Sequence, residues 1–165
     1  MIIKTKIGNI NNYSINTKTI DFIELHWFET SKRIQRKFTK SGVEISLKFL
    51  NENPVLTEGD ILFEDEKTVI VITVLPCECL VIAPTNMFEM ASVCYEIGNK
   101  HLPLFFENDE LLVPFEMPLY KLLIAQEYIV KQEQRKLLQS LKTTVAPHSS
   151  NGNETLFSKI MKLTT

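Results

Sequence analysis

At 165 residues and 19.0 kDa the chain has room for one compact domain or two small ones, and its 44% hydrophobic content is enough to build their cores. A formal net charge of -2 and a pI near 6.0 exclude a global positive field for collecting nucleic acid or an anionic membrane. The odd count of three cysteines, and a start whose apolar run breaks at Lys4, argue against a disulfide framework and a secretory signal; no apolar run approaches a membrane span, so free thiols in the cytoplasm are expected.

From Thr19 to Leu75 short apolar runs are cut by turn residues, the pattern of strands. DFIELHWF alternates Ile23, Leu25 and Trp27 against Phe22, Glu24, His26 and Phe28. RIQRKFTKSGVEISLKFL predicts a hairpin around Lys40-Ser41-Gly42, with Gly42 suited to a left-handed loop position. ILFEDEKTVIVITVL repeats the device around Asp65-Glu66-Lys67, and its second limb is apolar enough for a buried strand. Residues 1–76 are therefore expected to form a small all-β domain.

After Pro76 the period changes. CECLVIAP predicts a strand stopped by Pro84, and TNMFEMASVCYEIG a helix with Asn86 and Glu89 at the spacing of a capping box. Its expected buried stripe is Met87, Met90, Ala91, Cys94 and Ile97, with Gly98 supplying the left-handed residue that ends it. Two short strands, LPLFF and ELLVPF, flank Glu107-Asn108-Asp109. A second helix is expected from Pro118 to Ile129, burying Leu119, Leu122, Leu123 and Ile129, and EQRKLLQSL as a last strand. This order predicts a ferredoxin-like βαββαβ domain over 77–142, so the fold class is α+β. Residues 143–165 are polar and turn-rich with an apolar cluster near the end, and are expected to form a flexible C-terminal tail.

Several residue groups carry possible chemistry. SKRIQRKFTK packs five basic residues into ten, but the acidity of the rest of the chain favours a solvated strand face over a phosphate-binding one. Cys77 and Cys79, two apart on a strand, put both thiols on one face; they supply only two ligands, so buried apolar thiols are the simpler reading. Cys94 and His101 lie about 10 Å apart along a helix, too far for a nucleophile and its base. His26 reads as a half-exposed strand residue. His101 follows the helix end, where the dipole favours a positive charge; spacing alone prefers a terminal histidine and leaves a metal ligand open.

The string IGNKHLP at the end of the first helix resembles the Gly-Asn-Arg-His-x-Pro signature of the urease accessory protein E family, the nickel metallochaperones of urease maturation. LHWFETSKRIQRKFTKSGVEISLKFL and LTEGDILFEDEKTVIVITVLPCECLVI are similar to that family's β domain, and LLVPFEMPLYKLL to the segment carrying its second helix, so the resemblance covers essentially the whole chain.

The resemblance implies a homodimer without catalytic turnover, in which His101 from both protomers holds Ni(II), with Zn(II) or Cu(II) as competitors. It implies the urease maturation GTPase (UreG) and the urease apoprotein complex as partners, and extends to hydrogenase-maturation nickel proteins; nucleic acid and membrane are not among them. Lys100 stands where arginine is usual, keeping the charge and losing the planar fork. The histidine-rich tail of many members is missing: only His148 follows His101, which excludes metal storage and makes His148 the expected second ligand. The rival readings are a structural adaptor of the urease maturation complex that binds no metal, a nucleic-acid module using the strand from Lys32 to Lys40, and a thiol enzyme, for which Cys94 lacks a cationic neighbour in the local sequence.

Overall fold

The computed structural model describes residues 1–15, 17–50 and 54–141. The expected tail, His148 included, lies outside the described residues.

Among the described residues the N-terminal half holds seven strands: β1 (Ile2–Ile3), β2 (Gly8–Asn9), β3 (Thr19–Leu25), β4 (Ile34–Phe38), β5 (Glu44–Lys48), β6 (Asp60–Glu64) and β7 (Thr68–Val74). They form a three-stranded sheet of order β1-β5-β4 and a four-stranded sheet of order β2-β6-β7-β3. Alternation in β3 and β5 turns Ile23, Leu25, Ile45 and Leu47 inward, where they meet Leu62, Ile70 and Ile72 in the core between the sheets. The back of β7 is covered as well, by Ile15 and Phe22 over Val69 and Val71. Burial on both faces explains its continuous apolar run.

Both hairpin turns fall where the turn residues place them. Gly42 takes φ 91° between β4 and β5, and Asp65 Oδ1 accepts the amides of Lys67 and Thr68 between β6 and β7. One feature was not anticipated by the sequence reading and one differs from it. β3 pairs in parallel with β7, from Thr19 opposite Thr68 to Leu25 opposite Val74. Trp27 is not a strand residue: β3 stops at Leu25, and Trp27–Glu29 form a 3-10 turn, with the amide of His26, the residue before it, donating to Glu29 Oε2.

The C-terminal half runs β8 (Cys77–Ile82), α1 (Met87–Asn99), β9 (Phe105–Glu107), β10 (Glu110–Pro114), α2 (Met117–Ala125) and β11 (Val130–Arg135). The sheet order β11-β8-β10-β9, antiparallel throughout, is the split βαβ arrangement. Both helices cover one face, with Val93, Ile97, Leu119 and Leu123 packed on Leu80, Ile82, Leu111 and Val113. The class is α+β: an N-terminal sheet domain followed by an αβ domain.

Three boundaries move. α2 ends at Ala125, because the chain turns left-handed at Glu127 (φ 61°), and Ile129 is left exposed. The last strand begins at Val130 and ends at Arg135. Beyond it Leu137 packs under the sheet and Ser140 bridges Phe105, so the chain crosses from the β11 edge to the β9 edge on the face opposite the helices. The buried side of α1 is centred on Val93 and Ile97 with Met90 and Cys94 beside them; Met87 and Ala91 face outward.

The covered underside of this sheet is where the two halves meet. Trp27 packs edge-on against Phe105, centroids 5.6 Å apart, and joins Cys79, Val81, Leu112 and Leu137 in one apolar cluster. Beside it Glu58 accepts from the Val74 amide at 2.7 Å and from Lys136 Nζ at 2.9 Å, an ion pair between the halves.

Candidate metal centre

His101 owes its position to the way α1 starts and stops. Asn86 caps the start, its Oδ1 accepting the Glu89 amide at 3.0 Å. Glu89 reaches back to the amide and hydroxyl of Thr85, one residue earlier than a capping box requires, and those hydrogen bonds hold its carboxyl below the usual range.

At the other end the helix runs through Gly98 to Asn99, and the left-handed residue is His101, at φ 53°. This corrects the assignment to Gly98. The amide of Leu102 donates to the Ile97 carbonyl at 3.2 Å and that of His101 to the Gly98 carbonyl at 3.0 Å, the two bonds of a Schellman motif with histidine in the position glycine usually holds. The reason lies one turn further on. Pro103 bars a helical conformation at Leu102, while Leu102 must double back to share the apolar cluster of Ile97, so the reversal falls on the residue between Lys100 and Leu102.

The His101 side chain is exposed beside the last carbonyls of α1, the negative end of the helix dipole, where a cation is favoured. A neutral imidazole is a good ligand for Ni(II) and its neighbours in the first transition series. Among the described residues no three His, Cys, Asp or Glu side chains come together as a metal site. The described residues of one chain therefore supply no complete ligand set of their own. His26 belongs to the other half, its ring stacked on Phe28 at 5.3 Å.

The thiols are elsewhere. Cys79 is fully buried and Cys77 half-buried, both in the cluster beneath the sheet, so they do share a face. Cys79 Sγ donates to the Glu133 carbonyl at 3.4 Å, and burial pushes its pKa up to about 11, with the neighbouring Cys77 adding to the effect. Burial also raises Cys77 and Cys94. Cys94 lies in the core beneath α1, apart from the exposed His101. These are thiols, not thiolates, at neutral pH.

The basic strand is neutralised in place. Lys37 pairs with Glu29 at 2.6 Å, Lys40 with Glu24 at 2.9 Å and Arg36 with Glu44 at 3.1 Å. A phosphate backbone would have to displace these carboxylates.

What the sequence reading missed is the outer face of α1. Met87, Phe88 and Tyr95 are 86%, 80% and 70% exposed, on a helix that leads to His101. Phe88, Ala91 and Tyr95, with Tyr128 from beyond α2, line a shallow groove of about 490 Å³. Gly98 is exposed too, with no atom within 4 Å of where a Cβ would stand. The signal was present as a second apolar stripe, Met87, Phe88, Ala91 and Tyr95, at helical spacing.

Residues 3–75 match the family model described as the N-terminal domain of the UreE urease accessory protein, and residues 77–154 match that of its C-terminal domain. A urease accessory protein UreE of Flavobacterium johnsoniae is 42% identical over 163 residues, 99% of each chain. The UreE of Acetivibrio thermocellus is 38% identical over 124 residues, 75% of this chain and 80% of that one. That of Haemophilus influenzae strain PittGG is 37% identical over 149 residues, 88% of this chain and 80% of that one.

Proposed function

The chain belongs to the UreE urease accessory protein family, and from that premise we propose that it is a nickel metallochaperone of urease maturation, a carrier and not a catalyst. Ni(II) is its cargo. The observation that carries this reading is the placement of His101: an exposed imidazole fixed by a Schellman motif at the negative end of α1, where an uncovered apolar helix face arrives.

That face is the surface a second copy would cover. A two-fold axis beside His101 turns one imidazole into two without further sequence, which answers the shortage of ligands within a single chain. His148 adds a further nitrogen. A site of a few imidazoles open to solvent exchanges its metal readily, as delivery requires, whereas a closed thiolate cage would retain it. The maturation GTPase (UreG) supplies competing ligands, and the urease apoprotein complex is the final acceptor. Zn(II) and Cu(II) suit the same imidazoles, so selectivity rests on geometry and on which partner takes the metal.

Calorimetric titration of the full chain with Ni(II) tests the proposal. About one tight nickel per dimer is expected, abolished by His101→Ala and weakened by His148→Ala. Tight nickel binding that persists in His101→Ala would refute the site.

A further inference from the structure

Between the two halves lies an apolar groove of about 560 Å³, walled by Trp27, Phe28, Val55 and Leu56 on one side and Phe105 and Leu138 on the other. Phe28 and Val55 are 49% and 55% exposed there, and Leu138 38%. Nothing in the metal-carrier reading uses this surface. Pro103 and Ser140 also line it, so the described chain, which ends at Leu141, leaves from the groove's own rim.

We infer that the groove is the docking site for the last segment of this same chain, Glu154–Thr165. Its sequence, ETLFSKIMKLTT, sets Leu156, Phe157, Ile160, Met161 and Leu163 at the spacing of one helical face, with Ser158, Lys159 and Lys162 opposite. It is an amphipathic unit with an apolar face to bury, and it lies almost wholly beyond residue 154, where the family model ends.

Length permits the closure. Residues 142–153 can span about 40 Å when extended, enough to leave the rim and return to the groove. The tether also supplies the affinity. A segment held by so short a connection faces its site at an effective concentration in the millimolar range, so contacts too weak to hold a free peptide suffice in cis. A second copy or a foreign helix must compete with that local concentration.

Trp27 is the only tryptophan in the chain and stands in the groove wall, so its fluorescence reports occupancy directly. The experiment uses apo protein in EDTA and compares the full chain with a version ending at Asn153 and with full-length Phe157→Asp. Removal of the segment is expected to move Trp27 emission to longer wavelength and raise its quenching by acrylamide, with Phe157→Asp behaving alike. A synthetic peptide of residues 154–165 added to the truncated chain at millimolar concentration is expected to reverse both changes. Far-ultraviolet circular dichroism checks that the fold is intact. Identical emission and quenching in the three proteins overturns the inference, as does protection that depends on protein concentration, which would make a second copy the occupant. Because no metal is present, the result is independent of nickel binding.

Discussion

The Leu102 amide returns to the Ile97 carbonyl, 3.2 Å away, and the chain between them makes its reversal on His101. A residue without a Cβ would do this at lower cost: a left-handed conformation is unfavourable for an L side chain by about 1 kcal/mol, and glycine escapes the penalty.

His101→Gly should therefore stabilise the apo protein by about 1 kcal/mol in urea denaturation while abolishing nickel binding. α2 supplies the control. It ends in the same motif, with Tyr128 returning to Leu123 and Glu127 at φ 61°. Glu127→Gly should give a similar gain and leave nickel binding unchanged. A loss of stability in both variants would show that the side chains, not the backbone, set the balance.

The outer face of α1 gives a second prediction. Phe88 and Tyr95 are 80% and 70% exposed in the single chain, so Phe88→Asp and Tyr95→Asp should each fold normally yet sediment as a monomer and bind nickel more weakly than wild type. Analytical ultracentrifugation with and without metal decides it; a dimer that survives both changes must be built on another surface.

Acid should loosen the N-terminal half through Glu29. Burial pushes its carboxyl up, but hydrogen bonds from Lys37 and the His26 amide, with the charges of Lys37 and Lys32, leave it below the usual range. Glu58 is held low in the same way: burial opposes ionisation, and the Val74 amide and Lys136 outweigh it. A carboxyl lowered by folding contributes stability that is fully present above its unfolded pKa, about 4.3, and is lost as pH falls through the native value. Urea midpoints should be flat above pH 5 and fall below it, less steeply in Glu29→Gln. At neutral pH that variant should cost roughly 1–2 kcal/mol, since an amide answers Lys37 poorly.

The cysteines should be quiet. With all three thiol pKa values raised by burial, a disulfide reagent at neutral pH should react slowly with native protein and promptly once urea exposes the chain. Cys77→Ala should leave nickel stoichiometry unchanged; a drop would return the pair Cys77 and Cys79 to consideration as ligands.

Much of this architecture was legible where the signal is local. Gly42 and Asp65 carry their turn geometry in their own chemistry, Asn86 starts α1 as a cap, and the alternation of strand and helix periods is enough to draw βαββαβ. Legibility failed where a distant partner decides. The parallel match of β3 with β7 joins residues 49 apart, Thr19 to Thr68, and no local pattern distinguishes it from a hairpin neighbour. α1 carries two apolar stripes, and the sequence does not say which meets the sheet; Val93 is buried and Met87 is not. Neither helix has glycine where it reverses, so both ends were misplaced, one earlier at Gly98 and one later at Ile129.

The edge-on contact of Trp27 with Phe105 has a consequence for how the molecule comes into being. Strand β3 touches the β4–β5 turn only through the short Ile23–Thr39 bridge and finds its full-length partner in β7, so the first half cannot close until the chain has been synthesised past Val74. β8 likewise waits for β10 and β11. Trp27 is built into the first unit but reaches its final surroundings only when the second has folded and offers Phe105. In a refolding experiment the far-ultraviolet signal of the strands should thus precede the tryptophan signal, and the lag between them is the time the two halves take to find each other.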